Sequence, residues 1–228
     1  MIFNIIFSQY ISPKQAVMIF VVCLLAFLLS LTFHEFAHAF VAVKLGDDTP
    51  KAYGRYTLNP FKHLDMFGFI SFLILGVGWA KPVPINPIKF KKYRTGIRLV
   101  SSAGIIVNFI LGLVSALLFL LFNSTIGACN TFMEYFLTFL DYSMLINSYF
   151  ILFNIIPLPP LDGFNFISSF CKSDNKFIAF CYRNATRIIW TIILISILVE
   201  LLFDIDIFGT YLSLIYNFIF NPLSRLGA

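Results

Sequence analysis

Residues 16–44 read AVMIFVVCLLAFLLSLTFHEFAHAFVAVK, an apolar run whose main interruption is a polar patch at Thr32, His34, Glu35 and His38. A run of this length exceeds the ~20 residues that a helix needs to cross the hydrocarbon core of a bilayer. Ionisable side chains inside a spanning segment are costly, and they usually mark a functional site. The stretch therefore predicts a transmembrane helix that carries a functional site in its C-terminal half.

The composition of the whole chain agrees with this prediction. Hydrophobic residues make up 59% and charged residues 12% of the sequence, against about half and about a quarter in soluble domains. The 228 residues have room for about five to six transmembrane helices joined by short loops. We expect an all-α polytopic membrane protein in which residues 1–228 form a single integral-membrane domain.

Further apolar runs define the rest of the predicted fold. Those long enough to form spans cover residues 97–122, 132–157 and 188–203, and a last run of doubtful length covers 207–220. The run 66–80 is shorter and contains three glycines. Because it is too short and glycine-rich for a confident crossing, we predict a re-entrant or interfacial segment there.

The basic residues predict the orientation of these runs. Ten of the sixteen lie between Lys44 and Arg98, and a later polar loop contains Lys172, Lys176, Arg183 and Arg187. Cytoplasmic loops are enriched in lysine and arginine. The same enrichment accounts for the net charge of +5, so nucleic-acid binding is not needed to explain it. The connection at residues 123–130 has no basic residue. If 66–80 does not cross, the ends of runs 16–44 and 132–157 then lie at one depth, on the cytoplasmic side.

The polar patch contains a metal-binding pattern. Residues 34–38 read HEFAH, the His-Glu-x-x-His pattern. Spacing of four residues puts His34 and His38 on one helix face, where two imidazoles can hold one zinc ion, and leaves Glu35 beside the metal as a general base. Two packing histidines and a glutamate are the alternative. A cost of about 2.5 to 3.5 kcal/mol for an ionisable residue at the centre of a span disfavours that alternative.

Asp162 is the candidate third ligand, because zinc hydrolases usually have three protein ligands and leave the fourth position for water. It lies in NIIPLPPLDG, residues 154–163, at the depth that loop charge assigns to the histidines. The alternative is a turn aspartate before Gly163. Three prolines interrupt this segment, and irregular backbone beside a metal suits a substrate groove. His63 is interpreted as a solvated or interfacial histidine outside the site.

With these motifs the chain resembles the site-2 proteases, a family of intramembrane zinc metalloproteases, in a compact prokaryotic form without an appended regulatory domain. The resemblance rests on HEFAH, on the Asn-x-x-Pro-x-x-x-Leu-Asp-Gly pattern at 154–163, and on the stretches GRYTLNPFKHLD, GWAKPVPINP and SAGIIVNF. It extends from about Leu31 to Phe164, and the flanks match only in hydrophobic character.

The resemblance implies roles for individual residues. His34, His38 and Asp162 would bind one Zn²⁺ per chain, and Glu35 would activate the metal-bound water. Asn154 would stabilise the tetrahedral oxyanion or hold the substrate strand.

Gly104 and Asn108 match a further Gly-x-x-x-Asn feature of the family, with a structural or site-supporting role. Close helix packing at Gly104 and an interhelical hydrogen bond from Asn108 are the simpler interpretation, which we favour.

The resemblance also implies a substrate and a location. The substrate would be the transmembrane segment of another protein in the lipid bilayer, hydrolysed in or near that segment after local unwinding. The chain would be a multi-pass protein of the cell membrane with its active site toward the cytoplasm. The glycine-rich run 66–80 could then offer an edge strand to the unwound substrate.

Two other functions remain open. A membrane-anchored His-Glu-x-x-His protease could act on non-membrane substrates, although such enzymes tend to take the third ligand from a separate soluble segment. A zinc transporter or sensor is the other possibility. Transport usually needs several intramembrane acidic or histidine residues along a route, whereas these cluster at one end of two runs.

Overall fold

The computed structural model describes residues 12–75, 78–171, 175–203 and 210, and this part of the chain is built from α-helices. In chain order they are α1 Pro13–Lys44, α2 Thr49–Ala52, α3 Pro60–His63, α4 Met66–Leu75, α5 Tyr93–Thr125, α6 Thr131–Ile155, α7 Asp162–Ser168, α8 Lys176–Arg183 and α9 Ala185–Phe203. A single 3₁₀ turn at Pro87–Lys89 precedes α5.

Four of these helices, α1, α5, α6 and α9, are long and apolar enough to cross a membrane. They coincide with the predicted runs, so the all-α polytopic fold is confirmed. The predicted number of five to six spans is only approximate: the described residues contain four, and the run 207–220 lies outside them.

Local signals in the sequence set the ends of the spanning helices. At the start of α1, Ser12 Oγ accepts from the Gln15 amide at 3.3 Å and Gln15 Oε1 accepts from the Ser12 amide at 3.1 Å, a reciprocal capping box. At the start of α6, Asn130 Oδ1 accepts from the Met133 amide at 2.9 Å. These caps satisfy amide groups that a helix end leaves without partners.

Helices α1, α5 and α6 form the bundle that positions the site. Each of the three contacts the other two, and α7 packs against α5 and α6. Helix α9 reaches the rest of the chain partly through Trp190, whose ring meets that of Trp79 edge-on at 6.0 Å. Of the two sequence motifs, HEFAH at 34–38 lies on α1, and the pattern at 154–163 lies at the junction of α6 with α7.

The two ends of the 66–80 run lie next to each other. Leu64 and Ala80 form an antiparallel bridge, and the Lys81 amide donates to the His63 carbonyl at 2.8 Å. A chain whose two ends are paired in this way has not crossed a membrane between them, as expected for a re-entrant or interfacial segment. Gly68 permits the close return, because a Cβ there would overlap the Trp79 carbonyl oxygen.

Helix α4 forms the first limb of this return and packs against α1. The ring of Phe72 stacks on that of Phe27 with 3.8 Å between centroids, and both belong to a buried cluster with Leu31. The expectation of an edge strand is wrong for Met66–Leu75, which is helical. A helix satisfies its own backbone groups, so this limb has no free edge to offer a substrate.

Candidate metal centre

Helix α1 presents two histidines from one face. His34 and His38 lie one turn apart and are both buried, and their Nε2 atoms are 3.1 Å from each other. Two imidazole nitrogens at this distance need a shared proton or a shared metal ion between them. The local spacing of the sequence thus gives the geometry that the pattern predicts.

Asp162, the first residue of α7, completes a cluster of three donor atoms. Its Oδ2 lies 3.4 Å from His34 Nε2 and 3.2 Å from His38 Nε2. Tetrahedral zinc with nitrogen and oxygen ligands at about 2.0–2.1 Å holds its donor atoms roughly 3.3 Å apart. Asp162 Oδ2 is buried and forms no hydrogen bond. The three residues therefore fit a zinc ion, which would satisfy this otherwise costly oxygen.

The turn between α6 and α7 brings Asp162 to the histidines. Helix α6 ends at Ile155, just before the prolines, which cannot continue it. Gly163 then lets the chain fold back closely: a Cβ there would lie 2.6 Å from the Ile155 carbonyl carbon and 2.8 Å from the Ile156 carbonyl oxygen. A larger residue at 163 would push the aspartate away from α1.

The other nitrogen of each histidine faces an oxygen. His34 Nδ1 is 2.6 Å from Asn108 Oδ1, and His38 Nδ1 is 2.8 Å from the Val100 carbonyl oxygen. These oxygens can only accept, so each Nδ1 carries the hydrogen and each Nε2 presents its lone pair to the cluster. Such partners orient ligating histidines in metal sites.

Gly104 and Asn108, one turn apart on α5, both contact the site. A Cβ at Gly104 would lie 2.6 Å from His34 Nδ1 and 2.7 Å from its Nε2, so only glycine leaves room for the ring. Asn108 also makes interhelical hydrogen bonds, from Nδ2 to the Ser30 carbonyl at 3.3 Å and to Asn147 Oδ1 at 2.7 Å. The packing interpretation and the site-supporting one are thus both compatible with the geometry.

Sequence reasoning missed the polar residues behind Asn108. Asn147 Nδ2 donates to the Ser143 carbonyl at 2.8 Å, and Ser143 Oγ accepts from Ser115 Oγ at 2.9 Å. All three are buried between α5 and α6. The available signal was the four-residue spacing of two polar residues within an apolar run, which places Ser143 and Asn147 on one face.

Glu35 is buried beside the ligands and faces the segment that returns from the 66–80 run. Its Oε2 accepts from the Val83 amide at 3.2 Å, which anchors one carboxylate oxygen. Asn154 lies on the last turn of α6, where its Nδ2 donates to the Phe150 carbonyl at 3.0 Å. That hydrogen bond stays within α6 and does not join Asn154 to the three clustered donors.

Of the two interpretations of His63, solvated or interfacial, the solvated one is wrong. His63 is fully buried in the loop region, and its Nε2 lies 2.8 Å from the Thr57 carbonyl oxygen. Among the residues with described positions, the group able to share a metal ion is His34, His38 and Asp162. As expected, His63 does not belong to it.

Comparison with known proteins identifies similar chains. The chain is 45% identical over 144 residues, which are 61% of its own length, to the Bacillus subtilis protein named "Putative zinc metalloprotease YwhC". It is 29% identical over 165 residues, 69% of its length, to the Mycolicibacterium smegmatis protein named "Putative zinc metalloprotease Rip2", and 29% identical over 161 residues to a Mycobacterium tuberculosis protein of the same name.

The matched regions cover 64% of YwhC and 60% of each Rip2, so the chain spans less than two thirds of the length of these relatives. No family model matches the chain, and no solved structure matches it significantly. The names of the relatives support a zinc metalloprotease, and they state nothing about an intramembrane substrate.

Proposed function

We propose that the chain is a zinc-dependent endopeptidase of the site-2 protease type, which hydrolyses a peptide bond in or near the transmembrane segment of another membrane protein. The observation that carries this proposal is the cluster of His34 Nε2, His38 Nε2 and Asp162 Oδ2, whose mutual distances of 3.1, 3.4 and 3.2 Å suit one zinc ion. The names of the similar proteins support the same chemistry.

The position of the cluster supports a substrate within the membrane. Both histidines lie on α1, a helix able to span the bilayer, and they are buried against α5 and α7. The concentration of basic residues between Lys44 and Arg98 supports an active site toward the cytoplasm in a multi-pass protein of the cell membrane.

The residues around the cluster divide the chemistry among them. A zinc ion bound there would supply Lewis acidity, which polarises a carbonyl group and makes water more acidic. Glu35 would accept a proton and later deliver it to the leaving amine. Its Oε2 is anchored by the Val83 amide, which leaves Oε1 for the proton. Asn154 would hold the substrate strand or its developing oxyanion from the last turn of α6.

Glu35→Gln tests the proposal in the reconstituted full chain. The amide keeps the size of the side chain and cannot act as a base, so bound zinc per chain should be unchanged. Cleavage of a susceptible transmembrane substrate should fall by about 10²- to 10⁴-fold. The matched control is Glu134→Gln, which neutralises an exposed carboxylate in the first turn of α6. Wild-type cleavage by the Glu35 variant would overturn the assignment of the base.

The same preparation separates the two other functions. A protease of non-membrane substrates would cleave an unfolded soluble protein as well as the transmembrane one. A transporter would move zinc into sealed vesicles without cleaving either. Among the described residues, the acidic and histidine side chains able to hold a metal ion form one cluster rather than several along a route, which favours chelator-sensitive proteolysis over transport.

A further inference from the structure

A basic cavity lies beside the paired ends of the 66–80 run, apart from the metal centre. It has a volume of about 520 Å³, and three basic residues, Arg55, Lys62 and Lys81, are among those that line it. This volume is within the roughly 300–1,000 Å³ of small-molecule sites. Glu35 and the clustered metal donors are not among the residues that line it.

Arg55 gives this basic cavity an uncompensated buried charge. The side chain is only 7% exposed, and its Nη1 donates to the carbonyl oxygens of Lys62 and Lys81, which are neutral acceptors. Among the described residues, no carboxylate forms an ion pair with any of the three cations. A buried charge without an opposite charge is costly, so an anion in the cavity would be strongly favoured.

The rim of the basic cavity is apolar and aromatic. Tyr53 and Phe61 line it and are 69% and 78% exposed, and Met66 and Phe67 at the start of α4 are 70% and 77% exposed. In a membrane-spanning chain, tyrosine is enriched at the level of the lipid headgroups, and the exposed Phe61, Met66 and Phe67 add apolar surface beside Tyr53. A ligand that suits both features has an anionic group and an apolar part.

We propose that the basic cavity binds the phosphate group of an anionic phospholipid from the surrounding leaflet. Basic pockets on the cytoplasmic side of membrane proteins hold such headgroups. The phosphate would lie among Arg55, Lys62 and Lys81, and the acyl chains would leave past Phe61 toward α4.

The cavity wall also connects this ligand to Glu35. Pro82 and Pro84 line the cavity on either side of Val83, whose amide donates to Glu35 Oε2 at 3.2 Å. A bound headgroup would hold this segment in place and keep the carboxylate oriented. This consequence for cleavage rests on the proposed function, whereas headgroup binding does not.

Binding is tested on the purified full chain in a neutral detergent, titrated with phosphatidylglycerol or phosphatidylcholine and followed by native mass spectrometry. Lys62→Gln with Lys81→Gln should weaken phosphatidylglycerol binding roughly 10- to 30-fold, because a lysine near an anionic lipid contributes about a fivefold factor. Lys91→Gln with Lys92→Gln is the matched control: these exposed lysines belong to the same loop region but do not line the cavity.

Several outcomes would overturn the proposal. Equal weakening in both double variants would show only a general effect of surface charge. Equal binding of the two lipids, which share the phosphate group, would exclude a preference for an anionic phospholipid. Displacement of the lipid by inorganic phosphate or glycerol 3-phosphate at comparable concentration would assign the cavity to a soluble phosphate. If the Lys62→Gln, Lys81→Gln variant binds the lipid as well as the wild type does but no longer cleaves an acidic substrate, the basic cavity binds the substrate chain instead of a lipid. The titration measures lipid binding and not cleavage. Its result therefore holds even if the chain does not have the proposed protease activity.

Discussion

Asn108 Oδ1 lies 2.6 Å from His34 Nδ1, and both side chains are buried within the bundle. The orientation of the Asn108 amide is fixed from behind, because its Nδ2 donates to Asn147 Oδ1 at 2.7 Å. A reversed amide would place two oxygens together and would set an N–H group against His34 Nδ1. Asn147 therefore acts as a positioning residue that determines, through Asn108, which nitrogen of His34 faces the cluster.

Asn147→Leu should lower zinc affinity roughly 10- to 100-fold, the usual effect of losing an outer partner of a ligating histidine. The leucine keeps much of the side-chain volume but removes the acceptor that holds the Asn108 amide. Zinc affinity is measured by competition with a chelator in detergent, and helix content by circular dichroism should stay unchanged.

Ser115→Ala is the matched control for this prediction. Its hydroxyl donates to Ser143 Oγ at 2.9 Å. This hydrogen bond also joins α5 to α6, but it involves neither Asn108 nor His34. We expect the alanine to leave zinc affinity nearly unchanged. Equal losses in the two variants would mean that polar packing between the helices, and not the orientation of Asn108, controls the metal site.

Gly104→Ala should displace the imidazole of His34, because the added Cβ would lie 2.6 Å from its Nδ1. Overpacking of this kind costs about 1–3 kcal/mol, and here the loss should fall on zinc affinity more than on thermal stability. Ser102→Ala, whose hydroxyl bonds within its own helix at the Arg98 carbonyl, should change neither by more than about 0.5 kcal/mol. An unchanged zinc affinity in the Gly104 variant would contradict this account.

The sequence predicted the parts of the site that local geometry controls. His34 and His38 follow from helical periodicity, because four residues make about one turn. Asp162 could be found because loop charge and the prolines together located the end of α6. The contact of Asn108 with His34 joins residues 74 positions apart. This contact depends on how α5 is rotated about its own axis relative to α1. The sequence of one apolar run does not determine that rotation.

The 66–80 run shows where composition was insufficient. Its shortness and glycine content predicted a re-entrant or interfacial segment, and Gly68 packs against the Trp79 carbonyl. The suggested edge strand is wrong for Met66–Leu75, because glycine content indicates close approach without specifying how the backbone is bonded. The burial of His63 was missed as well: its neighbour Leu64 pairs with Ala80, and the Lys81 amide donates to the His63 carbonyl, contacts across the whole run that composition does not indicate.

Asp162→Asn should abolish tight zinc binding, with a loss exceeding the ~10- to 100-fold effect of outer partners. The amide preserves the shape of the turn but removes the charge that faces both histidine Nε2 atoms. Metal content per chain after dialysis against a weak chelator is the measurement. Glu134→Gln provides the control, since it removes an exposed charge from the other end of α6. Full zinc retention in the Asp162 variant would remove that residue from the ligand set.

The stability of the loop after α1 should depend on pH through the carboxyl group of Asp47. Burial acts to raise the pKa of its carboxyl, but hydrogen bonds from Thr49 and Asn86 and the charge of Lys89 outweigh it, so the pKa lies below its ordinary value of 3.8. A lowered pKa means that the folded state binds fewer protons than the unfolded state. The stabilisation is therefore fully present above the ordinary value and is lost as the pH falls through the folded pKa.

Acidification through that range should lower the protection against hydrogen exchange, relative to the intrinsic rate at each pH, of the Thr49 and Asn86 amides, which donate to Asp47 at 3.0 and 2.6 Å. Asp47→Ala should have the same effect at neutral pH and cost about 1–3 kcal/mol, because it leaves partly buried donors without an acceptor. Asp48→Asn is the matched control. Its carboxylate is largely exposed and pairs with Lys51 at 2.9 Å, so its removal should cost less than about 1 kcal/mol. Exchange at the two amides that is equally fast in both variants would show that Asp47 does not hold this loop.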